Sequence, residues 1–207
     1  WSIQNEWQTI LNVEIAACEA MAELGEIPAA AVENIKKNAK FDVARINEIE
    51  KVTDHDIIAF LTNLEENVGE DSKYIHKGLT SSDVKDTAYC IMMRDAAAII
   101  LDDLRAFRTV LRRRADEFRH TPCIGRTHGI HAEPMTFGLK MLLWSAEIER
   151  DIERLTRAQE TVSVGKLSGA VGTYSNIDPR IEELTCKRLG LTPVRLATQV
   201  IQRDRHA

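Results

Sequence analysis

Apolar residues recur three and four apart almost throughout the chain, the spacing of helices that bury one face. Trp7, Leu11, Ile15, Cys18 and Ala22 mark one face of a first helix, which Gly25 and Pro28 stop. A second helix is predicted from Pro28 to Lys40, because proline is tolerated in a first turn. Asp42 can cap a third, with Val43, Ile46 and Ile49 turned inward. Asp54 can cap a fourth through Ile57, Ile58, Leu61, Leu64 and Val68, closed by Gly69. These four short helices predict a small N-terminal helical domain over residues 1–80.

Longer helices follow. Met93, Ala97, Ile100, Leu104, Phe107 and Leu111 alternate steps of four and three, the seam of a helical bundle. Arg114 interrupts the seam and Phe118 resumes it. Glu133 to about Val164 reads the same way through Phe137, Met141, Trp144, Ile148, Ile152, Leu155 and Val162. A helix of thirty residues is about 45 Å long and needs partners along its whole length. Gly165 to Asn176 holds three glycines among small residues and predicts no helix. Asp178-Pro179 starts a short helix that ends near Gly190. No strand is predicted. The fold class is therefore all-α, with residues 81–207 forming the first part of a central long-helix bundle.

Composition narrows the function classes. Of 207 residues, 44% are hydrophobic and 29% charged, an ordinary balance for a soluble globular chain. The net charge of −5 argues against a general nucleic-acid binder. Arg112-Arg113-Arg114 reads as a solvated helix face between acidic residues. No apolar run reaches the ~20 residues that span a bilayer, so no membrane association is expected. None of the four cysteines forms a CxxC pair; reduced thiols and a cytoplasmic location are expected. The chain opens at Trp1 without a methionine and stops at Ala207 without a closing loop. A fragment cut at both ends is expected.

Several polar groups could carry chemistry. His55 lies between Asp54 and Asp56 at a helix start, either as part of a cap or as a reactive imidazole. His76 precedes Thr80-Ser81-Ser82-Asp83, a capping-box-like start to a long helix. The same N–H groups and hydroxyls can bind a carboxylate or phosphate. Gly125 to Pro134 gathers Arg126, His128, His131 and Glu133 in what reads as a loop joining two long helices. A metal there would need a third ligand, and HExxH is absent; acid–base work by an imidazole suits the cluster better. Gly165-Lys166-Leu167-Ser168 fails as a P-loop, since Leu167 stands at the Ser/Thr position and no strand is predicted before it. Close backbone packing explains it better.

Five segments in order resemble the fumarase/aspartase superfamily, and within it the branch that acts on purine nucleotides. They are Thr53 to Asp56, Gly78 to Asp83 continuing through Ala88, Gly125 to Pro134, Lys166 to Pro179, and Gln202 to Ala207. Fumarases carry Ser-x-Asn-Asp where this chain has Ser81-Ser82-Asp83. The resemblance implies a lyase that eliminates fumarate from adenylosuccinate and from the succinyl-carboxamide ribotide. It implies that His128 is the general acid. It further implies that His55 and His76 line the pocket, that Thr80 and Ser81 hold a succinyl carboxylate, and that Gln199 contacts substrate. Asp54 and Asp56 flank His55 in the same binding segment, although many bacterial relatives carry Arg at the place of Asp54. The Ser-rich loop with the catalytic base would lie beyond residue 207, so the fragment alone is expected to be inactive. The expected partners are small purine-nucleotide substrates and copies of the same chain, four in the full-length protein, with no metal or cofactor. Two rivals stay open: a lyase for another succinylated amine, and a lyase-derived structural protein. Retention of His55, His76, Thr80, Ser81 and His128 together argues against the second.

Overall fold

The structure, a computed structural model, describes residues 1–206. It divides into two compact units: Trp1–Met93 with the chain from Val162 onward, and Arg94–Thr161.

In the first unit, α1 (Ile3–Glu23) runs through the core. The Ser2 hydroxyl accepts the Asn5 N–H at 3.3 Å and caps it. Trp7, Ile10, Leu11, Cys18 and Met21 are buried along its inner face. The helix packs against α2 (Ala29–Asn38) and α7 (Pro179–Leu189), and α3 (Val43–Thr53) packs on α4 (Asp56–Val68). Trp7 of α1 stacks on Phe60 of α4, ring centroids 4.9 Å apart. Burial of such side chains stabilises by about 1.5–3 kcal/mol each. α5 (Ser81–Glu117) adds Val84, Ala88 and Ile91 to the same core. A two-residue parallel pair, β3 (Val164–Gly165) with β4 (Thr192–Pro193), ties the glycine-rich segment to the chain after α7.

The caps of α3 and α7 lie where the sequence puts them. Asp42 accepts the N–H groups of Ala44 and Arg45, and Asp178 that of Arg180; Gly69 and Gly190 end α4 and α7 with positive φ. The cap of α4 differs. Asp54 takes the left-handed conformation, φ 48°, and closes α3 through its N–H to the Glu50 carbonyl. The α4 cap falls to His55, whose Nδ1 accepts the Ile58 N–H at 3.4 Å. With no linker between the two helices, one residue ends α3 and the next must start α4.

The second unit contains the later part of α5, β1 (Pro122–Thr127), β2 (Ile130–Thr136) and most of α6 (Phe137–Val162). Leu111, Ala115 and Met141 form its core, with Ile148 packed against them. A Cβ on Gly138 would lie 2.4 Å from the Ala115 carbonyl, so only glycine lets α6 begin against the end of α5. Arg108 and Arg112 both reach Glu149 across the two helices.

Two expectations need correction here. Residues 133–136 are not helix but the end of an antiparallel hairpin, so strands exist where none was predicted. The predicted seam is also incomplete. Ile100 and Phe107 are 50% and 49% exposed, while Leu101, at 2%, is buried. Ala97 and Leu111 of the same stripe are buried, so one of its two alternating positions is covered while the other, with Ile100 and Phe107, faces outward. The architecture remains helical, with seven α-helices and little sheet among the described residues.

Candidate active site

The starts of α4 and α5 meet in the first unit. His55 Nε2 lies 3.5 Å from Ser81 Oγ. Because Nδ1 accepts the Ile58 N–H, the neutral ring carries its hydrogen on Nε2, facing Ser81. Next to it, Asp56 pairs with Lys85 of α5 and accepts the Ile57 N–H at 2.7 Å. Burial pushes the Asp56 carboxyl up, but Lys85, the Ile57 N–H and His55 outweigh this and hold it below the ordinary carboxylate value. Asp54, at the same junction, is exposed.

Thr80 precedes α5, and its N–H donates to Asp83 Oδ2 at 2.9 Å, the reaching-back bond of a capping box. Asp83 does more than cap. Oδ1 accepts from Lys166 Nζ at 2.6 Å and from the Ser168 N–H, and Oδ2 also accepts the Gly169 N–H. Lys166 and Asp83 are both fully buried. With Asp83 neutralised, the positive end of the α5 dipole at Thr80 and Ser81 can receive another anion. Sequence reasoning missed this pair, since nothing in the spacing links residues 83 apart. Gly165 is closely packed, but against side chains rather than backbone: a Cβ there would meet Cys186 Sγ at 2.8 Å. Nearby, Glu182 accepts from the Leu167 N–H and the Tyr174 hydroxyl, each at 2.7 Å. Burial nonetheless raises its pKa.

His76 sits in the turn before α5 with φ 64°. Both its N–H, at 3.0 Å, and its ring Nδ1, at 2.6 Å, meet the carboxylate of Glu14 on α1. Burial pulls the ring pKa down, yet Glu14 and Asp83 more than reverse this and leave it above the ordinary value. Two residues on, a Cβ on Gly78 would lie 2.2 Å from the Asn176 carbonyl, so the turn packs directly on the 169–176 segment. Gln199 is exposed, between β4 and the final 3₁₀ turn Arg203–His206.

His128 belongs to the second unit. It and Gly129, with φ of 51° and 75°, form the two-residue turn between paired Thr127 and Ile130. Positive φ at both positions is the hairpin-type turn that matches strand twist. An irregular register between Ile124 and Arg126 marks a bulge, and Arg126 pairs with His131. A Cβ on Gly125 would meet the Glu133 carbonyl at 2.8 Å. The loop read from sequence is thus a hairpin with exposed His128 at its tip and exposed His131 on its second strand. The available signal was the dipeptide His128-Gly129 between apolar-bearing segments, which the dense charge of the cluster obscures.

The chain matches the model of the lyase family over residues 2–207. It is 53% identical over all 207 residues to the adenylosuccinate lyase of Synechocystis sp. and 50% identical to that of Bacillus subtilis, covering 48% of each relative. The chain thus spans about half the length of the curated relatives it matches. A fumarate lyase from Mesorhizobium sp. superimposes with a TM-score of 0.88 at 30% identity, over 95% of this chain and 48% of that one. The β-carboxy-cis,cis-muconate cycloisomerase of Acinetobacter calcoaceticus gives 0.90 at 28% identity, over 99% and 50%. Matched from residue 2 to residue 207, and similar along its whole length to lyases in sequence and in structure, the chain belongs to this lyase family.

Proposed function

We propose that the full-length protein is an adenylosuccinate lyase. It eliminates fumarate from adenylosuccinate to give AMP, and from the succinyl-carboxamide ribotide to give the carboxamide ribotide. The observation that carries the reading is the identity of 50–53% to curated adenylosuccinate lyases over every residue of the chain, against 28–30% for two other solved lyase-fold enzymes.

In this reading a base removes the proton beside a succinyl carboxylate, giving an enolate-like dianion. The carbon–nitrogen bond then breaks, and an acid protonates the departing nitrogen. His128 is the acid; its place at the tip of a hairpin, free of core packing, supports that role. Thr80 and Ser81 hold a succinyl carboxylate at the start of α5, where the helix dipole favours negative charge. His55, held through Nδ1, directs Nε2 toward Ser81 and orients its hydroxyl. His76, Asp54, Asp56 and Gln199 complete the substrate contacts. The base comes from the part of the protein outside residues 1–207. In the whole protein, residues 1–80 form the N-terminal domain and 81–207 begin the central bundle.

The protein acts in the cytoplasm as a homotetramer on small purine nucleotides, without nucleic acid or membrane. Exposed apolar residues on α5 (Ile99, Ile100, Phe107) and on α6 (Leu142, Leu143) support association between copies. Among the described residues no helix is long and apolar enough to cross a membrane.

The test is fumarate release by the full-length protein from adenylosuccinate, from the succinyl-carboxamide ribotide and from argininosuccinate. Turnover of the first two alone is expected. Turnover of argininosuccinate with neither purine substrate would overturn the reading.

A further inference from the structure

Glu14 is the polar residue of α1 with the deepest burial, at 1% exposure, and its carboxylate is spent entirely on His76. One oxygen takes the backbone N–H and the other takes ring Nδ1. The arrangement fixes both the backbone turn and the plane of the ring, and it holds His76 at a positive φ that a non-glycine residue adopts at a cost. The Asp83–Lys166 pair is closed on all sides, at 0%. Here the imidazole keeps 15% of its side-chain surface open while Glu14 keeps 1%. The imidazole is therefore partly open, and Nε2 is its remaining polar atom.

We propose that Glu14 is a positioning residue, which holds His76 by Nδ1 so that Nε2–H is offered to an anionic group of the substrate. The proposal rests on the adenylosuccinate lyase reading above. Its chemistry follows from the inventory of the imidazole. In a neutral ring bonded to a carboxylate through Nδ1–H, Nε2 is an acceptor and repels an anion; only the doubly protonated ring donates there. Glu14 supplies the negative charge that favours that form. The groups acting on the ring are Glu14 from α1 and Asp83 from α5, the latter already paired with Lys166. Their joint effect is an imidazolium that persists to higher pH than an ordinary histidine. The anion it meets is a carboxylate or a phosphate, since both offer the same acceptor oxygens.

The experiment uses the full-length protein and the variant Glu14→Gln, which keeps the size and can still accept the His76 N–H but carries no charge. Fumarate and AMP are the probes, titrated calorimetrically at pH 6 and pH 8. Glu14→Gln is expected to weaken one probe by about tenfold or more at pH 8 and by much less at pH 6. Loss confined to AMP places His76 on the phosphate, and loss confined to fumarate places it on a carboxylate. Unchanged affinity for both probes at both pH values overturns the proposal. Histidine NMR on ring-labelled protein is the second arm, with the His76 signal assigned from His76→Gln. Its titration midpoint should fall in Glu14→Gln; an unmoved midpoint overturns the proposal even if the enzyme proves to act on another substrate. If Glu14→Gln does not fold, His76→Gln decides: it should lose the same probe, and wild-type affinity for both sinks the idea.

Discussion

Asp83 and Lys166, fully buried, meet at 2.6 Å between α5 and the glycine-rich segment. Asp83 also accepts three backbone N–H groups, from Thr80, Ser168 and Gly169, and Lys166 donates to the Gly169 carbonyl. The pair fastens the start of α5 to the irregular stretch that follows β3. Lys166→Met should lower stability by about 3–5 kcal/mol, because it leaves a buried carboxylate uncompensated. The double variant Asp83→Asn/Lys166→Met should recover part of that loss. Urea unfolding followed by helix signal measures both. A single variant within about 1 kcal/mol of wild type would show the pair to be dispensable.

The junction of α3 and α4 makes a contrasting prediction. Asp42 accepts two N–H groups at the start of α3, so Asp42→Ala should lose about 1 kcal/mol. Asp54 caps nothing with its side chain and stands at φ 48°, a conformation glycine adopts freely. Asp54→Gly should therefore melt at or slightly above the wild-type temperature. A clear drop for Asp54→Gly and none for Asp42→Ala would reverse the cap assignment.

The legible part of this fold is local. Asp42, Gly69, Asp178 and Gly190 work through neighbours within a few residues, so their chemistry can be read from sequence alone. The exchange of roles between Asp54 and His55 is not legible, because it depends on how sharply α3 turns into α4. The Asp83–Lys166 pair is silent for a different reason: Asp83 reads as part of a helix cap and Lys166 as part of a failed phosphate loop, and nothing local joins the two. The hairpin from Pro122 to Thr136 reads as a loop because its polar side chains hide the period-two pattern, and His128-Gly129 is a less familiar turn pair than Asn-Gly. Of the candidate site, His55 and Ser81 are brought to 3.5 Å by helix starts that the caps already mark. The Glu14 partner of His76 comes from 62 residues away.

The coupling of His76 to Glu14 gives stability a sign with pH. The folded ring binds its proton more tightly than the unfolded one, since its pKa is raised above the ordinary 6.5. The pair's contribution is thus full below that value and is lost as pH rises through the folded pKa. The melting temperature of Glu14→Gln should lie furthest below wild type near pH 6, and the gap should narrow toward alkaline pH. Melting curves across that range check it; a gap that widens with pH would contradict the assignment.

Association can be tested on α6. Leu143 is 64% exposed and Leu142 52% exposed, a patch that copies of the chain would cover. Leu143→Glu in the full-length protein should lower the sedimentation coefficient toward that of smaller species. An unchanged sedimentation coefficient would remove this face from the interface.

His128 allows the sharpest separation of chemistry from structure. The position needs a residue that tolerates φ near 51°, and asparagine does so readily; Asn-Gly is the most favoured pair for such a turn. His128→Asn should therefore keep the hairpin and the melting temperature while removing a group that can deliver a proton near neutral pH. If His128 is the general acid, kcat falls by ~10²–10⁴-fold, equivalent to about 3–5 kcal/mol of barrier, with KM changed far less. His131→Gln is the control, on the neighbouring strand opposite Arg126, a residue to which the proposed mechanism gives no proton transfer. It should lose little in kcat. Steady-state kinetics and melting of both variants in the full-length enzyme decide the matter, and a His128→Asn enzyme turning over within a few-fold of wild type would end the general-acid assignment.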